Sequence, residues 1–112
     1  MLFVDFYGPA DVYQATRAAV QEEIGRAFRT GPDSVVVRRF VVEGGRPDVE
    51  LWVELSSDEE VYRYGRRIAR EVSRVVRDAC ALDVWVMFRV VPLAHAFLNG
   101  EPRARGVEAA FE

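Results

Sequence analysis

The sequence predicts an α+β protein, a two-layer α/β sandwich in which a four-stranded sheet carries two helices on one face. Three observations lead there. Apolar residues alternate at period two in four short runs and recur at helical spacing in two longer ones, in the order strand, helix, strand, strand, helix, strand. The second half repeats the first at an offset of 49 positions: Leu2/Leu51, Phe3/Trp52, Val4/Val53, Asp5/Glu54, Phe6/Leu55, Val12/Val61, Tyr13/Tyr62, Arg17/Arg66 and Glu22/Glu71 all pair, and Val35, Val37, Val41 and Val42 fall on Val84, Val86, Val90 and Val91. Self-similarity of this kind marks an internal duplication, here of a βαβ unit with a right-handed crossover. Two such units side by side place both helices on one side of the sheet and leave the other side bare. The 112 residues then form one domain over 1–112, with a first repeat at 1–45, a second at 49–98 and a C-terminal tail at 99–112.

Each element has its own signal. In the first strand Leu2, Val4 and Phe6 face one way and Phe3, Asp5 and Tyr7 the other. Gly8-Pro9 ends it, and Pro9 at a first helical position with Asp11 in the first turn opens a helix whose stripe is Val12, Thr16, Ala19, Val20, Ile24, Ala27 and Phe28. Arg26 and Arg29 complement the far end of its dipole, and Gly31-Pro32 is expected to stop it. The second strand is expected from Val35 to Val42. Glu43-Gly44-Gly45-Arg46-Pro47-Asp48 then reverses the chain, so that the next strand, Val49 to Ser56, comes straight back. Its alternation of Val49, Leu51, Val53 and Leu55 with Glu50, Trp52, Glu54 and Ser56 describes a half-buried strand.

Ser57-Asp58-Glu59-Glu60 has the spacing of a capping box, and Val61, Ile68, Ala69, Val72, Val75, Val76 and Ala79 supply the buried face of the second helix. Arg63, Arg66, Arg67, Arg70, Arg74 and Arg77 fall mostly on the other side, most simply a solvated face. The last strand runs through Val84-Trp85-Val86-Met87-Phe88-Arg89-Val90 to Pro92 and continues into Leu93-Ala94-His95-Ala96-Phe97-Leu98-Asn99-Gly100.

A formal charge of −3 and a pI near 5.2 give no electrostatic reason to expect nucleic acid or an anionic membrane as partner. Cys80 is the one cysteine and His95 the one histidine, so neither a disulfide nor a Cys/His zinc site can be assembled within a chain, and no metal or cofactor is implied. A lone thiol, a start without a basic n-region and the lack of a bilayer-length apolar run together lead to the expectation of a soluble, untargeted, cytoplasmic protein.

The bare side of the sheet collects Phe3, Asp5, Tyr7, Arg38, Phe40, Trp52, Glu54, Trp85, Met87 and Arg89. A monomer rarely leaves that much aromatic surface in water, so the face reads as a subunit interface or a ligand cavity. Its four charges are expected to pair, since burying one alone would cost several kcal/mol on an order-of-magnitude scale.

The duplicated βαβ unit, the strand at the N-terminus and a last strand leading into His95-Ala96-Phe97-Leu98-Asn99-Gly100 resemble the tautomerase superfamily of 4-oxalocrotonate tautomerases and macrophage migration inhibitory factor. Small bacterial tautomerase-like proteins of unassigned function, with an Asn-Gly-Glu like Asn99-Gly100-Glu101, look most similar, and the resemblance covers residues 1 to about 105. It implies a homotrimer with sheets inward, and an isomerase mechanism in which an N-terminal proline is the base while arginines bind the substrate carboxylate.

Met1 stands in the place of that proline, and Leu2 is too bulky for its ready removal, which leaves a primary amine of reference pKa about 8, mostly protonated at neutral pH. Such an amine is a poor base. Trp85 stands where one branch of the superfamily keeps an Arg and another a Tyr, and Pro32 or Asp33 where the migration-factor branch keeps a Lys. The candidate catalytic groups are therefore Met1 and His95, histidine being a residue type that serves as general acid or base. Arg38, Arg39 and Arg89 are the candidates for holding a small carboxylate or keto acid, with Trp52, Trp85 and Phe97 walling the cavity.

Three readings follow. The first is an enzyme-like protein with weak or no tautomerase activity that binds a small carboxylate between subunits. The second is a non-catalytic trimeric scaffold, or a subunit whose site another chain completes. The third is a ferredoxin-like regulatory module, which shares the element order.

Overall fold

The computed structural model describes residues 2–44 and 48–102. Four strands, β1 (Leu2–Tyr7), β2 (Val35–Phe40), β3 (Val49–Leu55) and β4 (Val84–Val90), form one mixed sheet in the order β2-β1-β3-β4, and helices α1 (Ala10–Ala27) and α2 (Asp58–Ala79) cover one face of it. β1 runs parallel to β2, β3 parallel to β4, and the two βαβ units meet where β1 lies antiparallel to β3. The α+β two-layer architecture expected from the duplication is the one observed. The reversal after β2 differs from expectation, because β3 returns beside β1 and not beside β2.

The core lies between sheet and helices. Leu2, Val4 and Phe6 of β1, Val35 of β2 and Val49, Leu51, Val53 and Leu55 of β3 meet Val12, Val20 and Ile24 of α1 and Ile68, Val72 and Val76 of α2, all buried. Thr16 is buried within the α1 stripe, its hydroxyl donating to the Val12 carbonyl at 2.7 Å, so no polar group is stranded there. Tyr13 and Gln21 donate from α1 to the Val37 and Val35 carbonyls, tying the helix to strand β2. Because β3 is central, it is buried more completely than a half-buried strand: even Glu50 is 9% exposed.

Several boundaries move for identifiable reasons. Pro9 is the N-cap of α1 and not its first helical residue. The helix ends at Ala27, before Gly31-Pro32: the amide of Thr30 donates to the Gly25 carbonyl and that of Arg29 to Arg26, a Schellman closure with Arg29 in the left-handed position at φ 54°. Strand β2 stops at Phe40, because its partner β1 ends opposite it at Tyr7 and the chain turns away at Gly8-Pro9. Val41, which the alternation along the expected strand Val35 to Val42 would turn to the helix side, is instead 78% exposed.

At the start of α2, Glu60 donates its amide to Ser57 Oγ as the capping box requires, but its carboxylate reaches Ser56, through both amide and hydroxyl. Gly65, not foreseen as a core position, is buried where the Phe88 ring approaches α2, while Ala79 is exposed in the last turn.

Beyond β4 the chain makes a single 3₁₀ turn at Leu93–His95 and then a small hairpin of β5 (Phe97–Leu98) and β6 (Glu101–Pro102) that the strand periodicity did not reveal. Asn99 and Gly100 form its two-residue loop with φ of 54° and 82°, the backbone that two-residue hairpin loops favour and that Asn-Gly supplies at least strain.

Candidate functional site

The face of the sheet away from the helices is laid out by register. Arg38, Asp5, Trp52 and Met87 stand side by side across the four strands, and Phe40, Tyr7, Glu50 and Trp85 form the next row. Asp5 is the centre of the first row and is 6% exposed. Its Oδ1 accepts from Arg38 Nη2 at 2.9 Å and its Oδ2 from Arg89 Nη2 at 2.7 Å, so one buried carboxylate is held between two guanidinium groups from the two halves of the chain. Charge-assisted pairs of this length are the strong ones, and they offset the cost of placing an acid on the central strands.

The arginines rest on rings. The Arg38 guanidinium lies 4.9 Å from the Phe3 centroid and 5.5 Å from that of Phe40, and Arg89 lies 5.5 Å from Trp52. Trp52 Nε1 donates to Glu50 Oε1 at 3.3 Å, and Tyr7 stacks on Phe40 at 5.4 Å. The result is a polar seam through an aromatic surface, with both arginine side chains about half exposed.

The described candidate residues divide into four places. Arg38, Arg89 and Trp52 come together around Asp5. Trp85 lies one row away, at the end of the sheet where β1 finishes, and is 56% exposed. Arg39 belongs to the opposite face of β2, where its Nε donates to the Gly8 carbonyl at 3.0 Å beside a cleft of about 190 Å³ lined by Tyr7, Pro9, Phe40, Val41 and Val42.

His95 and Phe97 follow Val90, at the other end of the sheet, where β1 begins, and both are exposed. Met1 lies outside the described residues. Among the described residues, one chain does not gather the candidate binding residues and His95 into one cavity. The residue that sequence reasoning left out of the site is Asp5: its identity and face were legible, but its two partners are 33 and 84 positions away and only the register joins them.

Among the described residues no cluster of His, Cys, Asp and Glu is arranged to hold a metal ion, and no helix is long and apolar enough to cross a membrane.

By sequence, no family model matches this chain and no curated protein is detectably similar. By structure it is similar to a protein of unknown function from Vibrio cholerae O1 biovar eltor (TM-score 0.74, 15% identity, covering 91% of this chain and 87% of that one). It is also similar to a fused 4-OT from an asymmetric trimer (TM-score 0.68, 12% identity, 98% and 99% covered). A macrophage migration inhibitory factor-like protein from Entamoeba histolytica superposes with a TM-score of 0.67 at 4% identity, with 89% and 95% covered. Paired βαβ units, both helices on one face and these neighbours agree: the chain has the tautomerase/MIF-like fold.

Proposed function

We propose that this protein is a self-associating member of the tautomerase superfamily with weak or no tautomerase activity, its open sheet face buried between copies. The observation that carries the reading is the Arg38–Asp5–Arg89 clamp. In the expected mechanism arginines receive the substrate carboxylate, and here a built-in carboxylate already engages both of them. A substrate would have to compete with a partner that is covalently part of the site, which favours a structural role for the seam.

Self-association, and a homotrimer in particular, is supported by where the apolar surface lies. Phe40, Val41 and Val42 are exposed at the β2 edge, and Trp85, Phe97 and Leu98 at or beyond the β4 edge. Apolar patches on opposite edges of one sheet are what a head-to-tail contact needs, and such contacts form rings when the rotation from copy to copy closes. Fused 4-OT proteins of this fold are trimers. In a ring the cleft beside Tyr7 and Val42 would receive the Phe97–Leu98 hairpin of the next copy.

A second reading is favoured by the half-exposed state of Arg38 and Arg89 over aromatic rings: a small carboxylate or keto acid bound at the interface through their remaining N–H groups. Light scattering on a sizing column, with enol-to-keto conversion of a phenylpyruvate-type substrate on the same sample, tests both. The proposal expects an oligomer with little conversion over buffer; a monomer at micromolar concentration, or turnover matching proline-bearing tautomerases, refutes it.

A further inference from the structure

The outer face of α2 carries a feature that the sheet-face reading does not use. Between Tyr62 and Arg77 the chain holds six arginines against one acid, while the rest of it holds nine arginines against seventeen acids. At 100° per residue Arg63, Arg66, Arg67, Arg70, Arg74 and Arg77 fall within one exposed stripe, opposite the buried Gly65, Ile68, Val72 and Val76. The stripe is about 21 Å long at 1.5 Å per residue.

Its ends are neutralised and its middle is not. Arg63 pairs with Glu59, Arg74 with Glu71, Glu23 and Asp78, and Arg77 with Asp83. Arg66, Arg67 and Arg70 have no acidic partner among the described residues. One turn before Arg66 stands Tyr62, 92% exposed. The net charge of −3 conceals this, because it averages a strongly basic helix face with an acidic remainder.

We propose that this face of α2 binds single-stranded nucleic acid, with Arg66, Arg67 and Arg70 on backbone phosphates and Tyr62 stacking on a base. Guanidinium groups recurring every turn, about 5 Å apart, suit a strand of phosphates. A ring exposed beside them offers the sequence-tolerant platform that such binding uses. An acidic protein surface fits less well, since protein interfaces are organised around an apolar centre and the stripe has no apolar residue apart from Tyr62. The stripe lies on the helical layer, so association through the sheet face leaves it open, and a ring would display several copies.

Fluorescence anisotropy of the whole protein with a labelled oligothymidylate of about 12 nucleotides, which spans the stripe with room to spare, tests the proposal. The dissociation constant is expected to rise with salt at a log–log slope near 2 for about three phosphate contacts. Replacing Arg66, Arg67 and Arg70 together by Gln should weaken binding by at least tenfold at about 50 mM salt and reduce that slope by about 2. Tyr62→Ala should weaken it about fivefold or more with the slope unchanged. All four side chains are exposed, and circular dichroism confirms that the variants stay folded.

Absence of binding at low salt overturns the proposal, as does an unchanged affinity in the triple variant. Tighter binding of an oligoglutamate peptide than of the oligonucleotide overturns it in favour of an acidic protein partner. An unchanged affinity on Tyr62→Ala removes the single-strand assignment.

Discussion

Replacing Phe97 and Leu98 together by Ser should dissolve the assembly while leaving the subunit folded. In the single chain Phe97 is 62% and Leu98 63% exposed, so neither contributes much to the monomer's core. If the next copy covers them, Phe97 loses roughly 125 Å² from water, taking about 200 Å² for the whole side chain, which stabilises the contact by about 3 kcal/mol. Leu98 adds about 1.5 kcal/mol on the same scale. Fixing the two side chains costs about 1 kcal/mol each, leaving about 2.5 kcal/mol per contact.

That difference is between tenfold and a hundredfold in the dissociation constant of each contact, and a closed ring loses it at every interface. Sedimentation velocity over a concentration series reads the mass, and far-ultraviolet circular dichroism reads the fold. The double variant should sediment as a monomer at concentrations where the parent is assembled, with the helical signal retained. A variant that keeps the parent's mass throughout refutes the head-to-tail argument, because the hairpin would then lie outside the interface.

The two helical glycines should respond in opposite directions to the same substitution. A methyl group at Gly65 would meet the Phe88 ring at 3.4 Å and Val61 at 3.5 Å, ordinary contact distances, so Gly65→Ala should gain about 1 kcal/mol of helix propensity and raise the thermal midpoint by a few degrees. At Gly25 the methyl would lie 3.0 Å from the Thr30 carbonyl oxygen, in the turn closed by the bond from the Thr30 amide, and Gly25→Ala should lower the midpoint by the equivalent of about 1–3 kcal/mol. Shifts of the same sign, read by calorimetry, would contradict this packing. Asp5→Ala should vacate the position between Arg38 and Arg89, and added acetate should then raise the variant's midpoint while leaving the parent's unchanged. A variant whose midpoint acetate does not raise would mean that the two arginines do not form an anion site.

What was legible in the sequence followed from local periodicity. The composition of the open sheet face needs only the alternation along each strand, which assigns Phe3, Asp5, Tyr7, Arg38, Trp52 and Arg89 to it without the register. Features set by a neighbour were not legible. Val41 and Val42 continue the pattern of β2, yet the strand ends at Phe40 because β1 ends beside it. Arg29 takes the left-handed position at the end of α1 although Gly31 is two residues away, since the helix closes where Thr30 can reach the Gly25 carbonyl. The β5–β6 hairpin has two residues per strand, too few for periodicity, and Asn99-Gly100 was the one signal that a turn was there. The dispersal of His95, Arg39 and Trp85 over three places follows from strand order and direction, which sequence spacing does not encode.

The duplication also bears on how copies meet. Val41 and Val42 are the counterparts of Val90 and Val91 in the second repeat, but the two ends are finished differently. After β4 the Val91 amide donates to the Leu55 carbonyl, and the chain goes on through the 3₁₀ turn into the β5–β6 hairpin. After β2 no such extension exists among the described residues: Val41 is exposed, and the cleft beside Tyr7 and Pro9 stays open. One repeat thus ends in a projecting apolar hairpin and the other in an apolar recess at the equivalent position. A molecule with pseudo-twofold internal symmetry that breaks it in this complementary way is suited to a head-to-tail contact, in which the hairpin of one copy occupies the recess of the next. The Arg38–Asp5–Arg89 clamp fits the same scheme. It joins β2 of the first repeat to β4 of the second across the open face, fixing the relative position of the two edges that a ring would have to bring into contact.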